Sequence, residues 1–370
     1  MIDSLKTIRG FKFLYAVAIM VFCCTTSSYG KSEVPVFLLS GQSNMSGYFG
    51  SVNDLTADQK KSVDSVKIFM NGDGDNGKKN KWLTLGPGFG AFSSFLGPEL
   101  SFGRTLSDSM PDIRIALVKL AVGGTYLAKA EEWLPPSSNN GKGGNLYRQM
   151  MSTIDAAMKS FSSAFDTSKY TPRWAGFVWF QGEFDAYDRG YANAYEKNLT
   201  NLINDIRAEV KVTDLPVILP MIDVQNQWTH NGIVRNADIA VSKKMENVDT
   251  LDTKGLPTDG THYKAAGYIT IGQVCAQRWL AMRYTYGEKV HIVNSYSNQY
   301  VIQNSQIPPY TIHTLFDLSG KMISSHCGVL PQRKLTKNIS NKCIVIHSKC
   351  LNDCHNGSQM NRRTVIVNQK

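Results

Sequence analysis

Val34-Pro35-Val36-Phe37-Leu38-Leu39-Ser40 carries no charge and leads into Gly41-Gln42-Ser43-Asn44-Met45. A short unbroken apolar run ending in a glycine turn is the pattern of a strand buried on both faces, as in a parallel sheet covered by helices. Runs of the same character occur at 115–120, 175–180 and 216–221, and a shorter one at 66–70 predicts an edge strand. Helical spacing marks 99–106, 146–165, 191–210, 234–245 and 265–283. In the second of these, Met151, Ile154, Ala157, Met158 and Phe161 recur on one side, which reads as core, while Arg148, Asp155 and Lys159 mark the outer face. Alternating strands and helices predict an α/β domain with helices on both faces of the sheet.

Functional loops of such a sheet lie at the carboxyl ends of its strands, and Ser43 stands in one. A hydroxyl becomes a nucleophile when a base removes its proton, and a histidine held by a carboxylate is the usual base. Asp259-Gly260-Thr261-His262 supplies both. The Asp-x-x-His spacing predicts that the Asp259 carboxylate reaches the nearer ring nitrogen of His262. Two further blocks follow strands: Ala121-Val122-Gly123-Gly124-Thr125 and Gln181-Gly182-Glu183. Glu183 and Asp185 together suit a glycosidase acid pair, but beside a nucleophile and a base they read better as residues that hold active-site loops; a role for Glu183 or Asp185 as triad acid stays open.

These four blocks, in this order over residues 34 to 284, resemble the SGNH-type hydrolases, in particular the carbohydrate esterases related to sialate O-acetylesterases and family-six acetylxylan esterases. The resemblance implies that the backbone N–H of Ser43 and one from the Gly123-Gly124 pair, Gly124 first, form an oxyanion hole, with the Gln181 amide as third donor. It implies a structural role for Glu183 and a flavodoxin-like sheet. The sequence departs from those relatives at Phe180, where a histidine is common, and at Phe184, where serine or threonine is common. Both changes remove polar groups from the expected pocket.

The chain has 370 residues and a net charge of +10. Residues 1–30 contribute +2, residues 31–284 +1 and residues 285–370 +7, so the basicity belongs to the C-terminal segment. The near-neutral body carries no basic recognition element, and no nucleic-acid partner is expected. Lys6, Arg9 and Lys12 precede an apolar stretch from Phe13 to Cys24 and the small residues Ser28-Tyr29-Gly30. That order is the pattern of a secretory signal over residues 1–30; the stretch is short for a membrane span, which is the competing reading.

Beyond residue 285 short β-rich runs at 290–293, 300–303, 310–316, 343–347 and 364–367 alternate with Ser, Asn, Gly and Pro. They predict a small all-β, sandwich-like module that resembles the C-terminal sorting modules of some secreted bacterial enzymes. Cys327, Cys343, Cys350 and Cys354 fall in it and suggest disulfides in an exported module, with pairing left open; a zinc site using His347 or His355 lacks the paired spacing. Asp73 and Asp75 fall short of a calcium loop because the closing glutamate is missing. His230, after Trp228, reads as a capping or surface residue.

The sequence therefore predicts three parts: a signal peptide (1–30), a three-layer α/β/α esterase domain with a parallel flavodoxin-like sheet (31–284) and the β module (285–370). The expected activity is that of an exported or surface-held serine O-acetylesterase on acetylated carbohydrate, with Ser43, His262 and Asp259 as triad and neither metal nor cofactor. Xylan-like polysaccharide is the first substrate, and the basic tail is expected to contact the cell envelope or secretion machinery. Two other readings stay open: a sialate O-acetylesterase, and a non-catalytic carbohydrate-binding protein on a hydrolase scaffold.

Overall fold

The structure, a computed structural model, describes residues 31–285 and the backbone of four strands farther on, 311–316, 322–327, 345–350 and 362–366. The opening run forms β1 (Ser32–Gly41), the central strand of a seven-stranded sheet. It pairs in parallel with β4 (Ile115–Ala121) on one side and β5 (Tyr170–Phe180) on the other. Beyond β5 lie β6 (Val217–Pro220) and β7 (Val248–Leu251), both parallel. Beyond β4 lies β2 (Val63–Gly72), parallel, and then β3 (Trp82–Leu85), antiparallel. The full order is β3-β2-β4-β1-β5-β6-β7. The doubly wound, mostly parallel sheet matches expectation, with one exchange of neighbours: β4 stands between β2 and β1, where the flavodoxin order would pair those two directly.

The run at 66–70 is thus not the edge. Four-residue β3 covers it, anchored by Trp82, whose Nε1–H donates to the Ala157 carbonyl at 3.0 Å and whose ring packs on Phe69. Alternate β1 side chains face opposite layers because strand side chains alternate. Val34, Val36 and Leu38 pack toward α3 (Asn145–Lys159), α4 (Arg189–Glu209) and α5 (Asn231–Lys244). Phe37 and Leu39 pack toward α2 (Glu99–Ser109) and α6 (Ala265–Thr285). Trp279 of α6 meets Phe37 edge to face at 4.8 Å and donates its Nε1–H to the Ala175 carbonyl at 2.6 Å. On α3 the fully buried stripe is Tyr147, Met150, Thr153, Ile154 and Ala157, while the expected Met151 and Met158 are half-buried beside it. That helix ends at Lys159, and residues 161–163 continue as a 3-10 turn.

Register sets the site. Gly41 pairs with both Ala121 and Phe180, and Ala121 also pairs with Gly72, so four strands end side by side at one rim. The loops that begin there carry Gln42-Ser43, Val122-Gly123-Gly124, Gln181-Gly182-Glu183 and Asp73. Gly41 has φ +148°, and a Cβ there would come within 2.0 Å of the Phe180 carbonyl oxygen, so the chain leaves the sheet only with glycine at this position.

The strands of the C-terminal segment, β8 (Thr311–Phe316), β9 (Met322–Cys327), β10 (Val345–Cys350) and β11 (Arg362–Ile366), form an antiparallel sheet of order β11-β10-β8-β9. The runs at 290–293 and 300–303, the signal segment and the cysteine pairing of the tail lie outside the described residues. No helix among the described residues is long and apolar enough to cross a membrane.

Candidate active site

Ser43 opens α1 (Ser43–Ser46), a single turn that follows β1 directly and ends at Gly47 in the left-handed region. Two contacts hold this turn. Gln42 donates its backbone N–H to the Phe180 carbonyl at 3.1 Å. Lys119, reaching up from β4, donates to the Ser46 carbonyl at 3.1 Å, to the Phe89 carbonyl at 2.9 Å and to Glu99 Oε2 at 2.8 Å. Lys119 and Glu99 are both buried, so the charge under the turn is compensated and its donors are filled.

Above the rim is a cleft of about 360 Å³. Ser43, Gly123, Gly124, Glu183 and His262 line it together with Gln42, Thr261 and the rings of Tyr48, Phe184, Tyr187 and Trp228. The nucleophile candidate, the base candidate and the glycine pair are thus brought to one place. Asp259 stands exposed behind His262. Its Oδ1 accepts the backbone N–H groups of Thr261 (2.8 Å) and His262 (2.7 Å). The carboxylate-to-ring hydrogen bond expected from the spacing is therefore not formed, because the Asp-x-x-His turn folds the acid onto its own backbone. Nor is the Ser43 hydroxyl bonded to the imidazole; such contacts are often long before substrate is bound. The His262 ring is positioned by aromatic stacking, on Tyr48 (5.4 Å, 25°) and on Phe49 (5.3 Å, 21°).

Burial lowers the pKa of His262 below its ordinary value and outweighs the raising effect of nearby Asp259, so the imidazole is neutral at pH 7. For Asp259 the balance runs the other way. Partial burial raises its pKa, but the two backbone N–H bonds and the imidazole hold it below the usual carboxylate value.

The glycine pair divides its work. Gly123 donates its N–H to Asp73 Oδ2 at 2.7 Å, which removes it from the set of free donors. Gly124 has φ +72°, and its N–H, like that of Ser43 at the first helical position, has no acceptor among the described residues. Gln181 was expected in the cleft as a third donor, and it is not there. It is buried, and its Nε2 faces the Gln42 side-chain oxygen (3.2 Å), the Thr125 carbonyl (2.9 Å) and Asp185 Oδ2 (2.7 Å). Gln42, braced by it, lines the cleft instead.

Asp185 ties loops together: it accepts from the backbone of Leu127 and Ala128 and from Gln181, and burial pushes its pKa up to about 6. Glu183 accepts from Asn44 Nδ2 at 2.6 Å, and Asn44 in turn bonds the Thr261 carbonyl, the Tyr263 N–H and the Tyr268 hydroxyl. That chain links the nucleophile loop to the histidine loop. Glu183 is buried with Oε2 unpartnered, and its pKa is pushed up to about 7. Sequence reasoning missed three contributors. Asp73 also accepts from Ser46 and the Tyr48 hydroxyl; its only signal is that it directly follows the rim residue Gly72. Tyr48 and Phe49 follow the Ser43 turn in a segment to which the sequence reading gave no role. Phe180 is core, buried against Tyr263 at 5.9 Å, whereas Phe184 lines the cleft. His230 is the residue that precedes α5, its N-cap, and its side chain makes no capping hydrogen bond. The stretch 135–144 is fastened to α4, through Ser137 to Asp205 and Asn201 to Ser138, and lines no part of the cleft. No cluster of metal-ligating side chains occurs among the described residues.

The family model described as "Carbohydrate esterase, sialic acid-specific acetylesterase" matches residues 33–281. A probable carbohydrate esterase of Arabidopsis thaliana is 25% identical over 267 residues, 68% of this chain and 93% of the relative. A crystal structure of an Arabidopsis thaliana protein superposes with a TM-score of 0.53 at 22% identity, covering 68% of this chain and 99% of that one. The crystal structure of NanS gives 0.52 at 16% identity, covering 69% and 98%. At these identities the two structures establish the fold, and the family rests on the model match.

Proposed function

We propose that this chain, which belongs to the sialic acid-specific acetylesterase family of carbohydrate esterases, is a serine O-acetylesterase that deacetylates a xylan-like polysaccharide. The observation that carries the reading is the pair of free backbone donors, Ser43 N–H and Gly124 N–H, in the same cleft as a serine hydroxyl and a neutral imidazole. Preorganised donors of this kind are worth roughly 3–4 kcal/mol each at a developing oxyanion.

In the proposed reaction His262 takes the proton of Ser43 as its oxygen attacks the acetyl carbonyl. The carbonyl oxygen becomes an oxyanion between Ser43 N–H and Gly124 N–H. The carbon–oxygen bond to the sugar then breaks, and His262 gives its proton to the departing sugar hydroxyl. Water, deprotonated by the same imidazole, attacks the acetyl-serine and releases acetate. Asp259 raises the basicity of His262 and holds its turn, while Gln181 acts through Gln42. A sialate ester is the second reading, favoured by the family's description. Export through the leader, with attachment through the basic tail, belongs to the same proposal and is supported by the order of charge and apolar residues at the N-terminus.

The test is acetate release from 4-nitrophenyl acetate, acetylated xylan and O-acetylated sialic acid. Wild type should turn over the first two, and Ser43→Ala and His262→Ala should each lose at least about a thousandfold in kcat. Turnover that survives in His262→Ala would remove the base assignment, and preference for the sialate ester would replace the first substrate with the second.

A further inference from the structure

Few large apolar side chains stay on this surface. Among the described residues they are Phe49 (52% exposed), Phe92 (56%), Tyr187 (46%), Ile113 and Val224. Of the three aromatic ones, Tyr187 lines the cleft, and the other two pack on rings that line it. Phe49 stacks on His262, Phe92 meets Tyr48 edge to face at 6.0 Å, and both touch Phe95, at 5.9 and 5.7 Å. His262, Phe49, Phe95, Phe92 and Tyr48 thus form a closed circuit of rings that begins at the imidazole and ends in solvent.

This ledge is built. Phe49 has φ +63°, a left-handed conformation that a bulky side chain rarely takes. Its loop is sewn to the loop that carries Phe92: Leu96 N–H donates to the Gly50 carbonyl at 2.8 Å, and Val52 N–H to the Ser94 carbonyl at 2.9 Å. Contiguous exposed rings beside a cleft mark a recognition surface.

Two observations identify the occupant. In ester hydrolysis the imidazole protonates the departing alcohol, so the sugar lies on the imidazole's side of the cleft, where the ledge begins. The two ledge loops carry no charged side chain of their own, and Lys78, which reaches the second, commits its ammonium to the Gly88 carbonyl at 2.6 Å and the buried Phe89 ring. Residues 47–50 and 86–97 contain no Asp, Glu, Lys, Arg or His. No Lys or Arg among the described residues lines the cleft, so none of them offers a side-chain cation to a sugar carboxylate there.

We propose that Phe49 and Phe92 form a subsite that stacks a second, uncharged pyranose ring next to the acetylated one, so that this chain acts on a neutral glycan chain. The proposal rests on the esterase reading and narrows its substrate.

Calorimetric titration of the Ser43→Ala protein with acetylated xylose and acetylated xylotriose tests it without needing turnover. Wild-type hydrolysis of 4-nitrophenyl acetate reports separately on the esterase reading. Affinity should be greater for the trisaccharide, and adding Phe92→Ala should weaken trisaccharide binding by roughly three- to tenfold more than monosaccharide binding. Phe92→Tyr, which keeps the ring, should restore the trisaccharide affinity. Equal affinity for both lengths, equal losses at both, or tighter binding of O-acetylated sialic acid would overturn the subsite. So would a Phe92→Ala protein that keeps its glycan affinity while changing from dimer to monomer in sedimentation, because the ledge would then be an interface between copies.

Discussion

In Asp259→Asn the acid limb of kcat/KM against pH should move to lower pH. Burial lowers the His262 pKa and the Asp259 charge raises it, so removing that charge leaves the lowering effect alone. The neutral imidazole, which is the working base, then persists further into acid. Asparagine keeps an oxygen for the Thr261 and His262 N–H groups, so the turn survives. The plateau rate should fall by about tenfold or less, against the ~10⁴-fold loss seen where the acid bonds the ring itself. A limb that moves to higher pH contradicts this balance. Ser43 and His262 could be found in the sequence through the strand-then-turn context of the one and the Asp-x-x-His spacing of the other, and Gly124 and Glu183 through the resemblance of their blocks to a known family. Asp73 could not, since it lies among polar loop residues and matters only through the register that sets Gly72 beside Ala121. The direction of the Gln181 amide was equally hidden, being decided by Gln42 and Thr125 from distant segments together with Asp185 four residues on.

At the scale of elements, the nucleophile turn depends on β4 and α2 through one buried ion pair. Glu99→Ala leaves the Lys119 ammonium buried without its counter-charge, a change that costs about 3–5 kcal/mol. Because Lys119 also holds the Ser46 carbonyl, turnover should fall along with stability. Denaturant unfolding and kcat measured on the same sample check both; a loss under about 1 kcal/mol would mean that the site is hydrated. The long strands and helices were legible because apolar runs and helical spacing persist over several turns or pleats. Strands β3 and β7 were not, because Thr84 in the one and Asp249 and Thr250 in the other interrupt runs only four residues long, whereas four-residue β6 is wholly apolar. Trp82 makes β3 a strand by reaching across to α3, and such an anchor leaves no local periodicity. The edge position of β2 was misread for that reason.

At the scale of the whole molecule, buried acids beneath the cleft make stability depend on pH. The Glu183 pKa is raised from 4.5 to about 7 by burial. A carboxyl raised in the folded state contributes stability that is present below about pH 4.5 and lost as pH rises through about 7. For Glu183 the loss is on the order of 3 kcal/mol. Glu183→Gln keeps an acceptor for Asn44 and cannot ionise, so its melting temperature should exceed that of wild type at pH 8 and approach it at pH 5. A gap that widens toward acid pH contradicts the burial argument. The central claim is that one serine, activated by one imidazole beside two backbone donors, does the chemistry. Covalent labelling with diethyl 4-nitrophenyl phosphate tests it most directly. Peptide mass mapping should find one diethylphosphoryl group on Ser43, formed at a rate that falls as pH drops through the titration of His262 and abolished in Ser43→Ala. Label on any other residue, or undiminished labelling of the Ser43→Ala protein, would contradict the account.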